Sequence, residues 1–134
     1  MKAKLAAAFT AVAAISLTAL ATTPAQAYST RYCSTTGAYG SVYVYNWTDP
    51  GAKVDLTFYL SDTSADDHHV RIRLVSETSN GARKNWPWRK NLDGKGSNKS
   101  WDSTASDDRG LFEIGVQVAR FEGDTLLNSC TVWS

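Results

Sequence analysis

Apolar and polar side chains alternate with a period of two along most of the chain beyond residue 40. Between Lys53 and Leu60, for example, every second residue is apolar, and Asp55, Thr57 and Tyr59 lie between them. A period of two places successive side chains on opposite faces of a β-strand, whereas a helix needs apolar residues every three or four positions. The pattern therefore predicts an all-β protein.

Five segments carry this alternation clearly and are separated by turn residues such as Asp49-Pro50-Gly51 and Ser79-Asn80-Gly81. The predicted strands are Ser41–Trp47, Lys53–Leu60, Val70–Val75, Phe112–Ala119 and Thr125–Trp133, with Ala82–Trp88 and Ser97–Ser103 as candidates for a sixth and a seventh. Short strands and frequent turns predict one small antiparallel β-sandwich, immunoglobulin-like or of a related Greek-key type. A small β-barrel is the alternative.

The alternation also predicts which side chains form the core. The central set is Val54, Leu56, Phe58, Ile72, Leu74, Ile114, Val116 and Val118. Phe112 shares the face of Ile114, and in the last strand Leu126, Cys130 and Val132 share one face. We expect all of these side chains to point inward.

Residues 1–27 have the pattern of a secretory signal peptide. Lys2 and Lys4 precede an apolar run from Leu5 to about Leu20, and the segment ends in Ala25-Gln26-Ala27, a small-residue cleavage site. The alternative is a membrane anchor. The Ala/Thr-rich composition of residues 1–27 resembles that of signal peptides from Gram-positive, high-GC bacteria. We therefore expect a secreted protein whose single domain covers residues 28–134.

Cys33 and Cys130 are the two cysteines of the chain. In an exported protein, a pair of thiols is expected to form a disulfide. Two independent buried thiols are the alternative. The bridge would join the two ends of the domain, and two cysteines are too few for a structural metal site.

Charge and motifs exclude several functions. The formal net charge is +1, and Lys2 and Lys4 of the leader contribute to it, so neither nucleic acid nor an anionic membrane is expected as a partner. The chain has no G-x-S-x-G or H-E-x-x-H motif. Asp66-Asp67-His68-His69 could be read as metal ligands, but a solvated loop is the simpler interpretation. We predict a non-enzyme without cofactor or metal.

The strongest binding candidate is the basic, tryptophan-rich segment around Asn85–Lys90. Pro87 cannot donate to a β-ladder, which predicts an edge strand or a loop. If Trp86 and Trp88 are extended, their rings lie on one side, next to Arg89 and Lys90. Such a surface is typical of protein-binding hot spots and also suits a sugar platform. The structural alternative is a lid over one open end of the sandwich.

A second candidate surface is the aromatic face of the first predicted strand. Tyr43, Tyr45 and Trp47 alternate with Val42 and Val44, so they are expected to point outward together. A solvated sheet face is rarely so aromatic, which indicates a contact surface.

In outline the chain resembles small exported actinobacterial proteins with one disulfide and no catalytic motif. That group includes protease inhibitors, carbohydrate-binding modules and adaptor subunits of secreted assemblies, and the resemblance covers architecture only. The expected function is a secreted non-catalytic protein that binds an unidentified extracellular protein. A carbohydrate-binding protein that uses exposed aromatics is the alternative.

Overall fold

The computed structural model describes residues 27–133, so the predicted signal peptide lies outside the described residues except for Ala27. The described chain forms nine strands and no helix. They are β1 (Tyr28–Thr35), β2 (Ala38–Tyr45), β3 (Val54–Asp62), β4 (His69–Glu77), β5 (Arg83–Asn85), β6 (Arg89–Asn91), β7 (Asn98–Ala105), β8 (Glu113–Glu122) and β9 (Thr125–Val132). None of the described residues belongs to a helix that could cross a bilayer.

The strands form two antiparallel sheets packed face to face. Sheet 1 has the order β1-β2-β3-β7, and sheet 2 has the order β5-β4-β8-β9 with β6 also paired to β4. The connections β3–β4, β6–β7 and β7–β8 cross between the sheets. The prediction of a sandwich is confirmed. The barrel alternative is wrong, because the two sheets do not close on each other.

Strand β1 was not predicted from the sequence. It pairs with β2 along its whole length, from Tyr28 opposite Tyr45 to Thr35 opposite Ala38. Its inward positions are occupied by Arg31 and Cys33 rather than by aliphatic residues, so the usual hydrophobic alternation is missing. A two-residue turn with Gly37 at φ 81° connects β1 to β2, in a conformation that glycine adopts without strain.

The core lies between the sheets and confirms most of the predicted inward positions. All eight residues of the central predicted set are buried, and Val42, Val44, Leu60 and Val70 extend the same apolar layer. Because every strand of a sandwich contributes only one of its two faces, this single layer accounts for the alternation seen in the sequence.

Two predicted inward residues are exposed instead. Phe112 is 47% exposed because β8 begins one residue later, and the fully buried Leu111 fills the core in its place. Leu126 is 42% exposed. A register shift between Arg120 and Phe121 bends the end of the β8–β9 hairpin, where Leu126 lies, away from the regular alternation.

The predicted disulfide between Cys33 and Cys130 is present and joins β1 to β9. These are edge strands of different sheets, so the bridge closes one long side of the sandwich. The cysteines are 97 residues apart in sequence. The bridge therefore lowers the conformational entropy of the unfolded chain, by an amount that grows with the length of the loop it closes.

We expect replacement of both cysteines by serine to lower the free energy of unfolding by about 4 kcal/mol, since a loop of roughly 100 residues is closed. Urea denaturation of the double variant Cys33→Ser, Cys130→Ser measures the change. Ser34→Ala, at an exposed position of β1, is the control. An unchanged transition midpoint in the double variant would contradict the assigned role of the bridge.

Candidate functional site

The ring of Trp86 packs against the core rather than facing solvent. Its indole Nε1 donates a hydrogen bond to Oγ of the fully buried Ser76 at 2.9 Å, and the Lys84 ammonium lies over the ring at 3.9 Å from its centroid. A buried indole needs a partner for its N–H, and Ser76 supplies it. Trp86 therefore closes the sandwich at the β5 edge.

Trp88 lies on the opposite face of sheet 2. Its ring meets Phe121 edge-on with centroids 5.3 Å apart, and the guanidinium of Arg73 covers it at 4.1 Å. Both partners sit on the outer side of β4 and β8. The prediction that Trp86 and Trp88 point to one side is therefore wrong.

A one-residue bulge separates the two rings. Val75 of β4 pairs with Asn85 and Ile72 pairs with Arg89. Two residues of β4 thus lie opposite the three residues Trp86–Trp88. The extra residue breaks the alternation, and Pro87, which has no N–H to donate, occupies the gap.

Arg89 and Lys90 also point to different sides. Arg89 is opposite the inward-facing Ile72, and its guanidinium lies 5.1 Å from the Phe58 ring centroid while Nη2 donates to Ser103 Oγ at 2.9 Å. Lys90 is opposite Arg71 on the outer face and is exposed. The segment predicted as one binding surface is therefore divided between two faces of the sheet.

The outer face of sheet 2 carries cations that are already paired. The Arg71 guanidinium covers Phe121 at 4.0 Å and donates to the Gly123 carbonyl at 2.7 Å and to Asp124 at 2.9 Å. The hydrogen bond from Arg71 lowers the pKa of the Asp124 carboxyl. Arg71 thereby ties the β8–β9 turn to the sheet.

Arg73 is held in a similar way. Its Nε donates to Gln117 Oε1 at 2.7 Å, and Nη2 of Arg83 reaches the same oxygen at 3.3 Å. Burial, followed by the charge of Arg83, lowers the pKa of Arg73. These contacts hold the outer face together, so cohesion of the sheet accounts for them.

His69 extends this network at the start of β4. Its ring stacks on Phe121 with centroids 5.8 Å apart, and its Nε2 accepts a hydrogen bond from Arg71 Nε at 2.8 Å. An accepting Nε2 requires the neutral imidazole. Burial, and then the positive charges of Arg71 and Lys90, lower the pKa of His69.

The outer face of sheet 1 has a different composition. Strand register and alternation place all six tyrosines of the chain on it. They are Tyr28, Tyr32, Tyr39, Tyr43, Tyr45 and Tyr59. We call this surface the tyrosine face. The predicted site residues Tyr43 and Tyr45 belong to it, and the remaining four tyrosines were not included in the prediction.

The other residues of the tyrosine face are small or acidic. Its remaining outward positions are Thr30, Ser34, Ser41, Asp55, Thr57, Ser61, Asn98, Ser100, Asp102 and Thr104. No lysine or arginine occupies an outward position in these four strands. The face therefore carries tyrosine rings, hydroxyl groups and two carboxylates.

The tyrosine rings contact one another at an angle. Tyr28 meets Tyr43 and Tyr45 with centroids 5.9 and 5.6 Å apart and planes inclined by 50° and 44°. Tyr39 meets Tyr59 at 6.3 Å with planes inclined by 67°. The rings support one another but do not share a plane.

A shallow groove of about 550 Å³ runs beside Tyr45. Its lining includes Asp55, Thr57 and Asp102, and Thr57 Oγ1 donates to Asp102 Oδ1 at 2.9 Å. Asn46 Nδ2 donates to Asp55 Oδ2 at 2.6 Å. Polar acceptors therefore lie beside a tyrosine ring in this groove.

Trp47 does not lie on the tyrosine face, and the prediction that it points outward with Tyr43 and Tyr45 is wrong. Asn46 adopts φ 62°, which ends β2 and reverses the alternation. The Trp47 ring instead packs against the core, and its Nε1 donates to the Leu111 carbonyl at 3.0 Å. Arg31, whose pKa is lowered by burial, lies 5.4 Å from the same ring.

The His68–His69 region shows ordinary pairing of charges. Arg120 Nη1 donates to Asp66 at 2.8 Å and lowers the pKa of that carboxyl, and His68 contacts Glu122. Within residues 27–133, no three histidine, cysteine or acidic side chains lie close enough together to hold a metal ion.

Comparison with known proteins gave no match. No protein-family model matches the chain, and neither a curated protein nor a solved structure is significantly similar to it. The functional conclusion therefore depends on the residues and their arrangement.

We expect Trp86→Ala to lower the free energy of unfolding by about 3 kcal/mol, because it leaves a cavity at the edge of the core. It also leaves the buried Ser76 hydroxyl without its indole partner. Thermal and urea denaturation measure the loss. Lys90→Ala, on the exposed side of the same segment, should change stability by less than about 0.5 kcal/mol. Equal effects of the two variants would show that Trp86 does not close the sandwich.

The position of His69 predicts a pH-dependent stability. Its pKa is lower in the folded protein than in the unfolded chain, so the unfolded chain binds more protons as the pH falls through about 6.5. The free energy of unfolding should therefore decrease from about pH 7 to about pH 5.5. In His69→Gln, whose amide oxygen can still accept from Arg71 but does not titrate, this decrease should be smaller. Identical pH profiles of the two proteins would contradict the assignment.

Proposed function

We propose that the protein is a secreted, non-catalytic domain that binds another extracellular protein through the tyrosine face. One observation carries the proposal: six tyrosines from three adjacent strands share a face that has no basic side chain. The signal-peptide pattern and the disulfide support an extracellular setting. The two histidines lie in or next to β4 of the other sheet, so the face offers no imidazole as a catalytic base.

Tyrosine is suited to such a surface for physical reasons. Its ring offers a large contact area with few rotatable bonds, and its hydroxyl stays hydrogen-bonded to water when no partner is present. Tyr28 and Tyr32 are 60% and 64% exposed, which is unusual for aromatic rings without a partner. Protein interfaces are enriched in tyrosine and depleted in lysine, and the outward positions of the four strands include six tyrosines and no lysine.

The size of the face fits a protein partner. Four strands span about 19 Å, and eight residues span about 27 Å, giving roughly 500 Å² in projection. A standard interface buries about 800 Å² of accessible surface on each partner. Protruding tyrosine rings add accessible surface to the projected area. The accessible area of the tyrosine face is therefore of the order that a standard interface buries on each partner.

The tilt of the rings favours a protein over a polysaccharide. Rings that stack on successive sugar units of one chain need to lie in a common plane, whereas the tyrosine pairs here are inclined by 44° to 67°. The carbohydrate alternative is supported by the groove beside Tyr45, where Asp55 and Asp102 could accept hydrogen bonds from sugar hydroxyls. That groove would take a short glycan rather than a flat polysaccharide.

We expect Tyr32→Ser combined with Tyr43→Ser to abolish capture of the partner from the culture medium of the source organism. Thermal stability should change by only a few degrees, because both rings lie outside the core. Capture by the immobilised protein, followed by mass spectrometry, provides the measurement. Leu127→Ser, which removes a 42% exposed side chain from β9 of the other sheet, is the matched control.

The outcome separates the two candidates. A protein captured by the wild type and the control, but not by the tyrosine variant, supports the proposal. A glycan that binds in a glycan-array measurement, and whose binding is lost in Asp102→Asn, favours the carbohydrate alternative. Unchanged capture by the tyrosine variant would place the binding surface elsewhere.

A further inference from the structure

The two long sides of the sandwich are closed differently. On one side the disulfide joins the edge strands β1 and β9. On the other side β7 is the edge of sheet 1, and β5 and β6 form the edge of sheet 2. There the connection 92–97 joins β6 to β7, and a pocket of about 300 Å³ opens between the sheets.

The floor of this pocket is part of the core. It is formed by Leu56, Phe58, Leu74 and Ala105, which are all buried. In a folded domain, buried core residues are rarely accessible to a small molecule. Ligand pockets are typically apolar cavities of about 300 to 1,000 Å³ with a few directed polar groups, so this pocket is at the lower end of that range.

The bulged segment Trp86–Trp88 forms one wall of the pocket. It interrupts the pairing with β4 between β5 and β6, because its three residues lie opposite only two residues of β4. The Trp86 backbone N–H donates to the Leu74 carbonyl at 3.1 Å, which anchors the segment beside the floor. A regular strand in this place would bring side chains over Leu74 at the usual spacing.

Arg89 supplies the one charged group among the lining residues. Its guanidinium lies above Phe58 at 5.1 Å and is held by the hydrogen bond to Ser103. Two nearby lysines have carboxylate partners: Lys84 pairs with Asp107 and Lys99 with Asp93. Within residues 27–133, Arg89 forms no ion pair, and no carboxylate lines the pocket.

We propose that this pocket binds a small amphiphilic carboxylate. Its ring or short chain would lie on Phe58 and Leu74 beside the Trp86–Trp88 wall, and its carboxylate would accept hydrogen bonds from Arg89. The planar guanidinium matches a carboxylate in shape and in charge, one positive against one negative. A phosphate dianion would leave excess negative charge beside an apolar floor. The site is on the inner side of sheet 1 and does not depend on the tyrosine face.

The test compares 3-phenylpropionate with its uncharged amide. Binding to the wild-type protein is followed by tryptophan fluorescence and by the indole N–H signals of the five tryptophans in NMR spectra. The acid should bind saturably, at least about tenfold more tightly than the amide, because it adds charge-assisted hydrogen bonds to Arg89. The largest NMR shift should fall on Trp86, whose ring packs against the core beside the pocket.

In Arg89→Gln the acid should lose this advantage and bind within about twofold of the amide. Lys90→Gln removes a neighbouring charge on the opposite face and should keep the full preference. If Arg89→Gln does not fold, two measurements on the wild-type protein still test the proposal. They are the comparison of acid with amide and the location of the NMR shifts.

Any of five results would overturn the proposal. The first four are the absence of saturable binding, equal affinity for acid and amide, a preference that survives in Arg89→Gln, and indole shifts that leave Trp86 unchanged. Tighter binding of a blocked tetrapeptide that contains Phe and Asp would also overturn it, because the pocket would then recognise a protein chain.

Discussion

The two sheets share a single apolar layer, and each strand can serve that layer only while its side chains keep alternating. Val42, Phe58, Leu74 and Val118 all belong to this layer although they come from four different strands. The alternation therefore determines which face of every strand meets water. Each functional feature of the molecule lies either on an outer face created by this rule or at a place where the rule fails.

The rule fails at three places, and each failure redirects specific side chains. Asn46, in a left-handed conformation, turns Trp47 back onto the core. The bulge around Pro87 sends Trp86 and Trp88 to opposite faces and leaves a pocket between the sheets. The register shift at Arg120 bends the β8–β9 hairpin. Bulges of this kind commonly re-aim side chains near functional sites.

The two outer faces of the sandwich differ in how their polar groups are satisfied. On sheet 2, Arg71 and Arg73 cover aromatic rings and donate to neighbouring oxygens, so this face is cohesive by itself. On sheet 1, tyrosine hydroxyls and the Asp55 and Asp102 carboxylates face outward with no cation among them. A partner with basic groups would complement this face, in keeping with the docking function proposed for it.

Much of the architecture could be derived from the sequence because alternation is a local property. The five main strands, the inward set from Val54 to Val118, and the bridge between Cys33 and Cys130 needed no knowledge of which strands are neighbours. The face of Tyr43 and Tyr45 could be predicted for the same reason. Strand β1, whose inward positions are held by Arg31 and Cys33, and the three-residue strand β6 lacked the local signal.

The tertiary structure decided which side chains meet. The sequence showed six tyrosines in three stretches, but only the pairing of β1, β2 and β3 brings them onto one face. The direction in which the Trp88 ring points depended on a bulge opposite β4. The open pocket depended on the distance between β7 and the β5–β6 edge. Strand pairing and register are set by contacts between residues far apart in the chain, so no single segment contains the information that determines them.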